Sequence, residues 1–398
     1  MEPGQWQLLS GLFASTIPRV VICPWLKRRK IHAVSGTFWV TGDLHSVINP
    51  THLLKGKNNM TMIKAWAVKS AGQALERFDY DPGPLGADEV EVAVEYCGIC
   101  HSDLSMIDNE WGITAYPIVP GHEVVGRIVA LGSNAKGLSI GQRVGIGWTA
   151  ESCMHCRPCL GGDQNLCAEA VGTIVGHHGG FADRVRANWD WAIPLPEGVR
   201  AEVAGPLFCG GITVFNPLLA FDIKPTSKVG VVGIGGLGHM AVRFAKAWGC
   251  EVVAFTSNPD KAAEARSFGA HRVVSSKNSD EINAIAGQLD LVIVTANVPL
   301  DWDAIIRSLG PKGRLHVVGA VLEPIPVQAF SLIMGQKEIS GSPTGSPTGI
   351  AQMLDFCARH AIEPMVEEFA MSKVNDAMDH LRAGKARYRI VLKNDFIG

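Results

Sequence analysis

Charge of either sign is what this sequence has little of. Lys and Arg number 36 against 38 Asp and Glu, a formal net charge of −2, and charged residues make up 19% of the 398 positions. Such a balance leaves no electrostatic footprint for nucleic acid. No uninterrupted apolar run is long enough to span a bilayer, and no fixed-period repeat is visible. The partners left are small molecules or other subunits. What is present is a hydrophobic fraction of 47% in a chain long enough for two ordinary domains with a large buried core. Ten cysteines would suggest a disulfide framework in a small secreted domain. Here most stand at metal-ligand spacings in a much longer chain, which points to a reducing cytoplasm where metal-binding thiolates survive.

Residues 1–59 differ from the rest. They carry Lys27-Arg28-Arg29-Lys30, only Glu2 and Asp43 as acids, and little periodicity. A secretory signal places its charges before its apolar stretch, whereas here the basic cluster follows Ile17 to Leu26. The segment is basic and acid-poor like an organelle transit peptide, but it is not Ser- or Arg-rich throughout. The expectation is a dispensable extension or an upstream start codon, with Met60 or Met62 as the working start.

From Ile63 to about Pro196, short strand-like runs such as Glu89 to Glu95 and Glu123 to Ala130 alternate with glycine and proline, predicting a β-rich core with long functional loops. From Lys228 the texture becomes strand, helix, strand. Lys228 to Gly233 is followed by a helix through Ala247 and a strand at Glu251 to Thr256. Further strands are expected at Arg272 to Ser275, Asp290 to Ala296, Arg314 to Gly319 and Lys337 to Ser340, nearly a complete doubly wound sheet. Helices at Ile350 to His360 and Val374 to Ala383 and a last strand at Tyr388 to Leu392 are assigned back to the first domain. The boundaries are 60–209 completed by 343–398, with 210–342 as the dinucleotide domain.

Cys153, Cys156, Cys159 and Cys167 give C-x2-C-x2-C-x7-C. Four thiolates close a tetrahedral zinc shell with no open position, which makes the site structural. A disulfide-bearing loop and an iron–sulfur site are the alternatives. His155 is surplus to that shell. A second, dispersed set comprises Cys97-Gly-Ile-Cys100-His101-Ser102-Asp103, Gly121-His122-Glu123 and Cys209. Ligands drawn from separate segments suit a catalytic zinc with three protein ligands and one exchangeable water. Each residue alone is weak, since a lone Cys209 is more often a buried apolar thiol. Gly233-Ile-Gly235-Gly236-Leu237-Gly238 follows an apolar strand and opens a helix, the context in which glycines let a backbone approach a pyrophosphate at a helix N-terminus.

Together with Pro120-Gly-His-Glu-Val-Val-Gly126 and Leu207-Phe-Cys-Gly-Gly-Ile-Thr213, these motifs resemble the zinc-containing medium-chain dehydrogenase/reductase superfamily. Asp108-Asn-Glu-Trp-Gly112 and the run from Val231 to His239 look most like its cinnamyl alcohol dehydrogenase branch and the bacterial NADPH-dependent aldehyde reductases. The resemblance covers Met62 to Lys393. It implies a GroES-like β-rich catalytic domain with a doubly wound Rossmann cofactor domain, one catalytic and one structural zinc per chain, and a homodimer. By that resemblance Cys100, His122 and Cys209 hold the catalytic zinc, Glu123 is an outer or transient ligand, and Cys97 packs. Asp103 accepts from the His122 ring, with loop capping as the alternative role. Ser102 carries the hydroxyl that passes a proton to the substrate oxygen, and His101 and Thr213 join the glycine run in holding cofactor. Many relatives place a proton-shuttling histidine where this chain has Ser105, so the relay is expected to run through water or the cofactor ribose.

Cofactor choice is read at the end of the second strand, where an acid favours NAD. Thr256-Ser257-Asn258 and Lys261 stand there instead, with Asp260 close by, and predict NADP(H). The expected activity is zinc-dependent reduction of an aldehyde, with alcohol oxidation as its reverse. Trp111, Trp148 and Phe208 are candidates to line an aromatic-tolerant pocket, with ordinary packing as their default role. An NAD-linked polyol or secondary-alcohol dehydrogenase and a non-catalytic zinc-stabilised nucleotide scaffold are the competing readings.

Overall fold

The computed structural model describes residues 62–396; the expectation of an N-terminal extension therefore lies outside the described residues. Two sheets organise the molecule. The strands Lys228–Val232, Glu251–Thr256, Arg272–Ser275, Leu289–Val294, Leu309–Val317 and Glu338–Gly341 form a six-stranded, wholly parallel sheet. In spatial order the strands run third, second, first, fourth, fifth, sixth. That order places a crevice at the C-terminal end of Lys228–Val232, where the strand sequence reverses. Helices cover the strands, so Val229 to Val232 and Leu291 to Val294 are buried as continuous apolar runs.

The second sheet has seven strands. Val366–Ala370, Arg389–Lys393, Glu89–Ile99, Val124–Leu131, Arg143–Ile146 and Ile193–Pro194 lie in that order, and Arg184–Asn188 pairs on Glu89–Ile99. Glu89–Ile99 is its spine. Its first half pairs with Arg184–Asn188 and its second half with Arg389–Lys393, while Val124–Leu131 runs along the other edge. The strand outruns the alternating stretch Glu89 to Glu95 because register shifts between Glu91 and Val92 and between Val94 and Tyr96 break the period of two. Glu91, apparently a solvent-side residue in that alternation, is only 7% exposed and is held by Arg184 and Arg186.

One apolar cluster joins the sheets. It runs from Val125, Trp191 and Phe208 through the helix Gly210–Ala220 to Val229, Met240 and Phe244, and takes in Ile350, Met353 and Leu354 of the helix Pro347–His360. Full burial of a side chain such as Phe208 contributes roughly 1.5–3 kcal/mol. Phe208 therefore fixes the sheets, the ordinary packing role, rather than lining a pocket: a Cβ on Gly145 would stand 2.0 Å from its ring. Among the described residues no single helix is long and apolar enough to cross a membrane.

Candidate functional site

The loop between Glu89–Ile99 and Val124–Leu131 begins with the short helix His101–Ile107, whose N-cap is Cys100. Asp103, fully buried, organises this corner. One carboxylate oxygen accepts from the Cys100 N–H at 2.9 Å, and the other accepts from the Gly121 N–H at 2.8 Å and meets His122 Nδ1 at 2.9 Å. The capping and histidine-orienting roles weighed for Asp103 are thus held at once. With Nδ1–H committed to Asp103, the lone pair of His122 lies on Nε2, which is buried and has no hydrogen-bond partner among the described residues. Burial opposes protonation of this ring, but the adjacent Asp103 charge and hydrogen bond outweigh it and hold its pKa well above the ordinary value; a metal ion at Nε2 would take the place of that second proton.

Ligand atoms of Cys100, His122, Glu123 and Cys209 lie within 4.8 Å of one another, and all four residues are buried. Tetrahedral coordination with bonds of about 2.0–2.3 Å sets ligand atoms about 3.3–3.8 Å apart, so the cluster fits one zinc ion. The neighbouring Cys209 thiol holds the Cys100 pKa well below its usual range against the opposing effect of burial. Glu123 reaches this point because Gly98 has no side chain: a Cβ there would stand 2.1 Å from Glu123 Oε2. Burial lifts the Glu123 carboxyl to about 6, and its Oε2 lacks a hydrogen-bond partner. Ser102 Oγ stands 3.8 Å from Cys100 Sγ. Trp148 packs edge-on to the His122 ring at 5.0 Å and on Trp111 at 6.0 Å, so two of the three expected aromatics do gather here. Ser105 donates to Glu110 Oε2 at 2.6 Å instead of standing free.

The four-cysteine loop is a separate site. Its sulfurs also lie within 4.8 Å of one another, with Cys153 and Cys159 3.9 Å apart and Cys156 and Cys167 3.8 Å apart. Those are edge lengths of a tetrahedron around one metal ion and are far beyond the S–S bond of about 2.05 Å. Backbone N–H groups of Cys156 and Glu169 donate to the sulfurs of Cys153 and Cys167. His155 is exposed and bonds the Cys153 carbonyl.

Across the crevice the glycine run links Lys228–Val232 to the helix Gly238–Trp248. Gly233 turns at φ +89°. Gly238 allows helix and strand to close together, since a Cβ there would meet the Gly233 carbonyl oxygen at 1.8 Å. Gly235 has nothing within 4 Å of a Cβ position, leaving a bare cradle of the kind a pyrophosphate fills. Lys261 Nζ donates to the Ile234 carbonyl at 3.0 Å, placing this cation at the glycine run. Ser257 and Asn258 are exposed beside it, and Thr256 Oγ1 accepts from the Asn258 N–H at 3.2 Å. His101 is exposed on the first turn of its helix. Thr213 spends its hydroxyl on the Cys209 carbonyl at 2.7 Å.

Two further residues belong to this region and were not singled out in the sequence. Arg389, 5% exposed, forms an ion pair with Glu123, and its Nη1 lies 3.2 Å from the Cβ position of Gly236. It therefore touches both the metal cluster and the glycine run. Burial disfavours its charge, yet Glu123 and the two thiols raise its pKa. The available signal was an arginine opening an otherwise apolar strand. Arg389→Met should destabilise the fold by about 3–5 kcal/mol, because it leaves Glu123 buried without a counter-charge. Denaturant unfolding measures this, and Glu123→Gln in the same background should recover most of the loss. The second residue, His239, donates Nδ1–H to the Gly235 carbonyl and accepts the Met365 N–H on Nε2, both at 3.1 Å. Burial lowers its pKa to about 3, so the ring is neutral and ties the glycine run to the strand Val366–Ala370.

Residues 86–197 match the family model of the alcohol dehydrogenase GroES-like domain, and residues 236–359 match that of zinc-binding dehydrogenases. An aldehyde reductase, AdhA, of Synechocystis is 54% identical over 84% of this chain and 99% of its own length. A probable cinnamyl alcohol dehydrogenase of Arabidopsis thaliana is 37% identical over 82% of this chain and 93% of its own. Among solved structures, a cinnamyl alcohol dehydrogenase of Sorghum bicolor superimposes with a TM-score of 0.80 at 35% identity, covering 84% of this chain and 98% of that one. The CAD from Helicobacter pylori complexed with NADP(H) gives 0.77 at 30% identity, covering 83% and 98%.

Proposed function

The chain belongs to the zinc-containing medium-chain dehydrogenase/reductase family and is an alcohol dehydrogenase or aldehyde reductase, and on that premise we propose that it reduces aldehydes with NADPH at the Cys100, His122 and Cys209 cluster. The observation that carries this reading is Arg389, whose one side chain joins the metal cluster to the glycine run. A zinc ion supplies Lewis-acid polarisation of the carbonyl oxygen, and NADPH supplies the hydride. Ser102 would hold a proton on Oγ for the carbonyl oxygen and take one back from water or the cofactor ribose. Asp103 fixes the His122 tautomer, and Trp148 and Trp111 keep water from one flank and favour an apolar or aromatic substrate. Arg389 balances Glu123 and faces the pyrophosphate beside Gly236, while the open cradle at Gly235 admits it.

The absence of an acid at the end of Glu251–Thr256 and the position of Lys261 favour NADPH. The NADP(H) complex of the Helicobacter pylori relative agrees with that choice. The same reading divides residues 60–209 and 343–398 from residues 210–342. It is supported by the pairing of Arg389–Lys393 with Glu89–Ile99, and by all six strands of the wholly parallel sheet lying between Lys228 and Gly341. A homodimer in the cytoplasm completes it: Phe330, Ile333 and Met334 are exposed near the edge strand Glu338–Gly341, and free thiols as metal ligands need reducing surroundings.

The test is metal quantification followed by parallel assays of an aromatic aldehyde with NADPH and NADH. Two zinc ions per chain and a clear kcat/KM advantage for NADPH are expected; equal kcat/KM for the two cofactors would refute the cofactor assignment. In the same assay Ser102→Ala should lower kcat by about 10²–10⁴-fold with cofactor affinity unchanged.

A further inference from the structure

At the rim of the glycine run the fold brings together groups from two distant stretches. Lys261 opens the helix Lys261–Phe268, and its ammonium lies 5.3 Å from the ring centroid of Tyr388. The guanidinium of Arg387 lies 5.7 Å from the same centroid. Glu264, one turn along from Lys261, accepts the Tyr388 hydroxyl at 2.5 Å and forms an ion pair with Arg387. Two cations and one anion therefore converge on one aromatic ring, and Asp260, also nearby, is exposed. The cations are close enough to interact: after burial, the charge of Arg387 is the next cause lowering the Lys261 pKa.

The hydrogen-bond count leaves capacity for a ligand. Arg387 has five N–H donors, of which Glu264 engages one nitrogen, and its side chain is 54% exposed. Lys261 has three, with one given to Ile234. Glu264 cannot serve an anion, but its contacts with Arg387 and Tyr388 set where the guanidinium stands. Tyr388 in turn is stacked on His239, which is bonded to Gly235. The guanidinium is thus indexed to the nucleotide cradle through a packed chain of side chains.

We propose that Arg387 is a specificity-determining residue that holds, together with Lys261, the 2′-phosphate of the dinucleotide. This rests on the NADPH reading above and extends it to a residue outside the nucleotide-binding sheet. A phosphate takes up the free edge of a guanidinium by paired charge-assisted hydrogen bonds, whereas the uncharged ribose hydroxyl of NADH gains nothing comparable. Removing the arginine would leave Lys261 against the carboxylates of Glu264 and Asp260, with no net positive charge for a phosphate.

Calorimetric titration with adenosine 2′,5′-bisphosphate and with 5′-AMP tests this on the metal-loaded protein, without turnover. Wild type should bind the bisphosphate more tightly than 5′-AMP. Arg387→Gln should weaken bisphosphate binding about 10- to 100-fold, the worth of a hydrogen bond to a charged group, and leave 5′-AMP binding unchanged; Arg387→Lys should restore part of the loss. Equal weakening of both ligands would show a purely structural latch and overturn the proposal, as would an unchanged bisphosphate affinity. A wild-type protein that does not distinguish the two ligands would instead refute the NADPH reading itself, before any variant is compared.

Discussion

His122→Ala should yield a folded protein that binds one zinc ion per chain instead of two and loses at least about a thousandfold in kcat/KM. Several kcal/mol of charge stabilisation vanish with the metal, and each 1.36 kcal/mol is tenfold in rate. The fold should survive because the ring makes one protein hydrogen bond, to Asp103, and its Nε2 makes none. Asp103→Asn provides the graded comparison. It keeps the shape but gives His122 a weaker partner, and substitutions at such supporting positions cost about 10–100-fold in affinity or activity. Metal content by mass spectrometry and steady-state kinetics on both variants check the series. A His122→Ala protein with two zinc ions, or with near-normal turnover, would exclude the assigned centre.

Loss of the four-cysteine site should act on stability rather than on chemistry. Structural zinc in small peptides contributes about 10–16 kcal/mol of apparent binding free energy, comparable to the whole net stability of a domain, about 5–15 kcal/mol. The loop has little else to hold it: the helix Arg157–Leu160 is a single turn, and Leu160 and Leu166 are exposed. Cys159→Ser is therefore expected to lower the melting temperature by many degrees and to open the 153–167 segment to proteases. Brief proteolysis with mass mapping of the cuts reads this out directly. Retention of both metal ions and of protease resistance in Cys159→Ser would rule out a structural role for the cluster.

The two halves of the molecule differed in how plainly the sequence announced them. Glu251–Thr256 was legible to the residue because a parallel strand buried on both faces reads as an unbroken apolar run between polar stops, and Arg272–Ser275, at the edge of the sheet, was legible as Val273-Val274 between polar neighbours. Leu309–Val317 begins earlier than expected, since it picks up a pairing with Leu289 before the register shift that precedes Leu291. The antiparallel half was harder. Glu89–Ile99 hides its length behind two irregularities, and Cys97-Gly98-Ile99, which read only as part of a ligand motif, is also its final stretch. The candidate metal-binding cysteines and His122 were legible through spacing, whereas Arg389 was not. Its meaning depends on Glu123, which is remote in sequence and meets it only once the sheet is built. Trp148 stood in the sequence as an aromatic whose default role was packing, and its contact with His122 follows from the turn after Arg143–Ile146 and from nothing local.

The position of Arg389–Lys393 has a bearing on how the chain reaches its native state. This strand lies inside the seven-stranded sheet, with Ile390 opposite Ile99, whereas in the parallel sheet Lys228 pairs with Glu251 and Val253 with Arg272. Closing a loop costs more entropy the longer it is, and topologies rich in distant pairings fold more slowly. The parallel sheet can thus assemble from sequence neighbours, while the sheet beneath Cys100 and His122 is completed only when a strand from beyond the parallel sheet returns to it. Arg389 arrives with that strand, so the counter-charge for Glu123 has to be brought to it from 266 residues away along the chain.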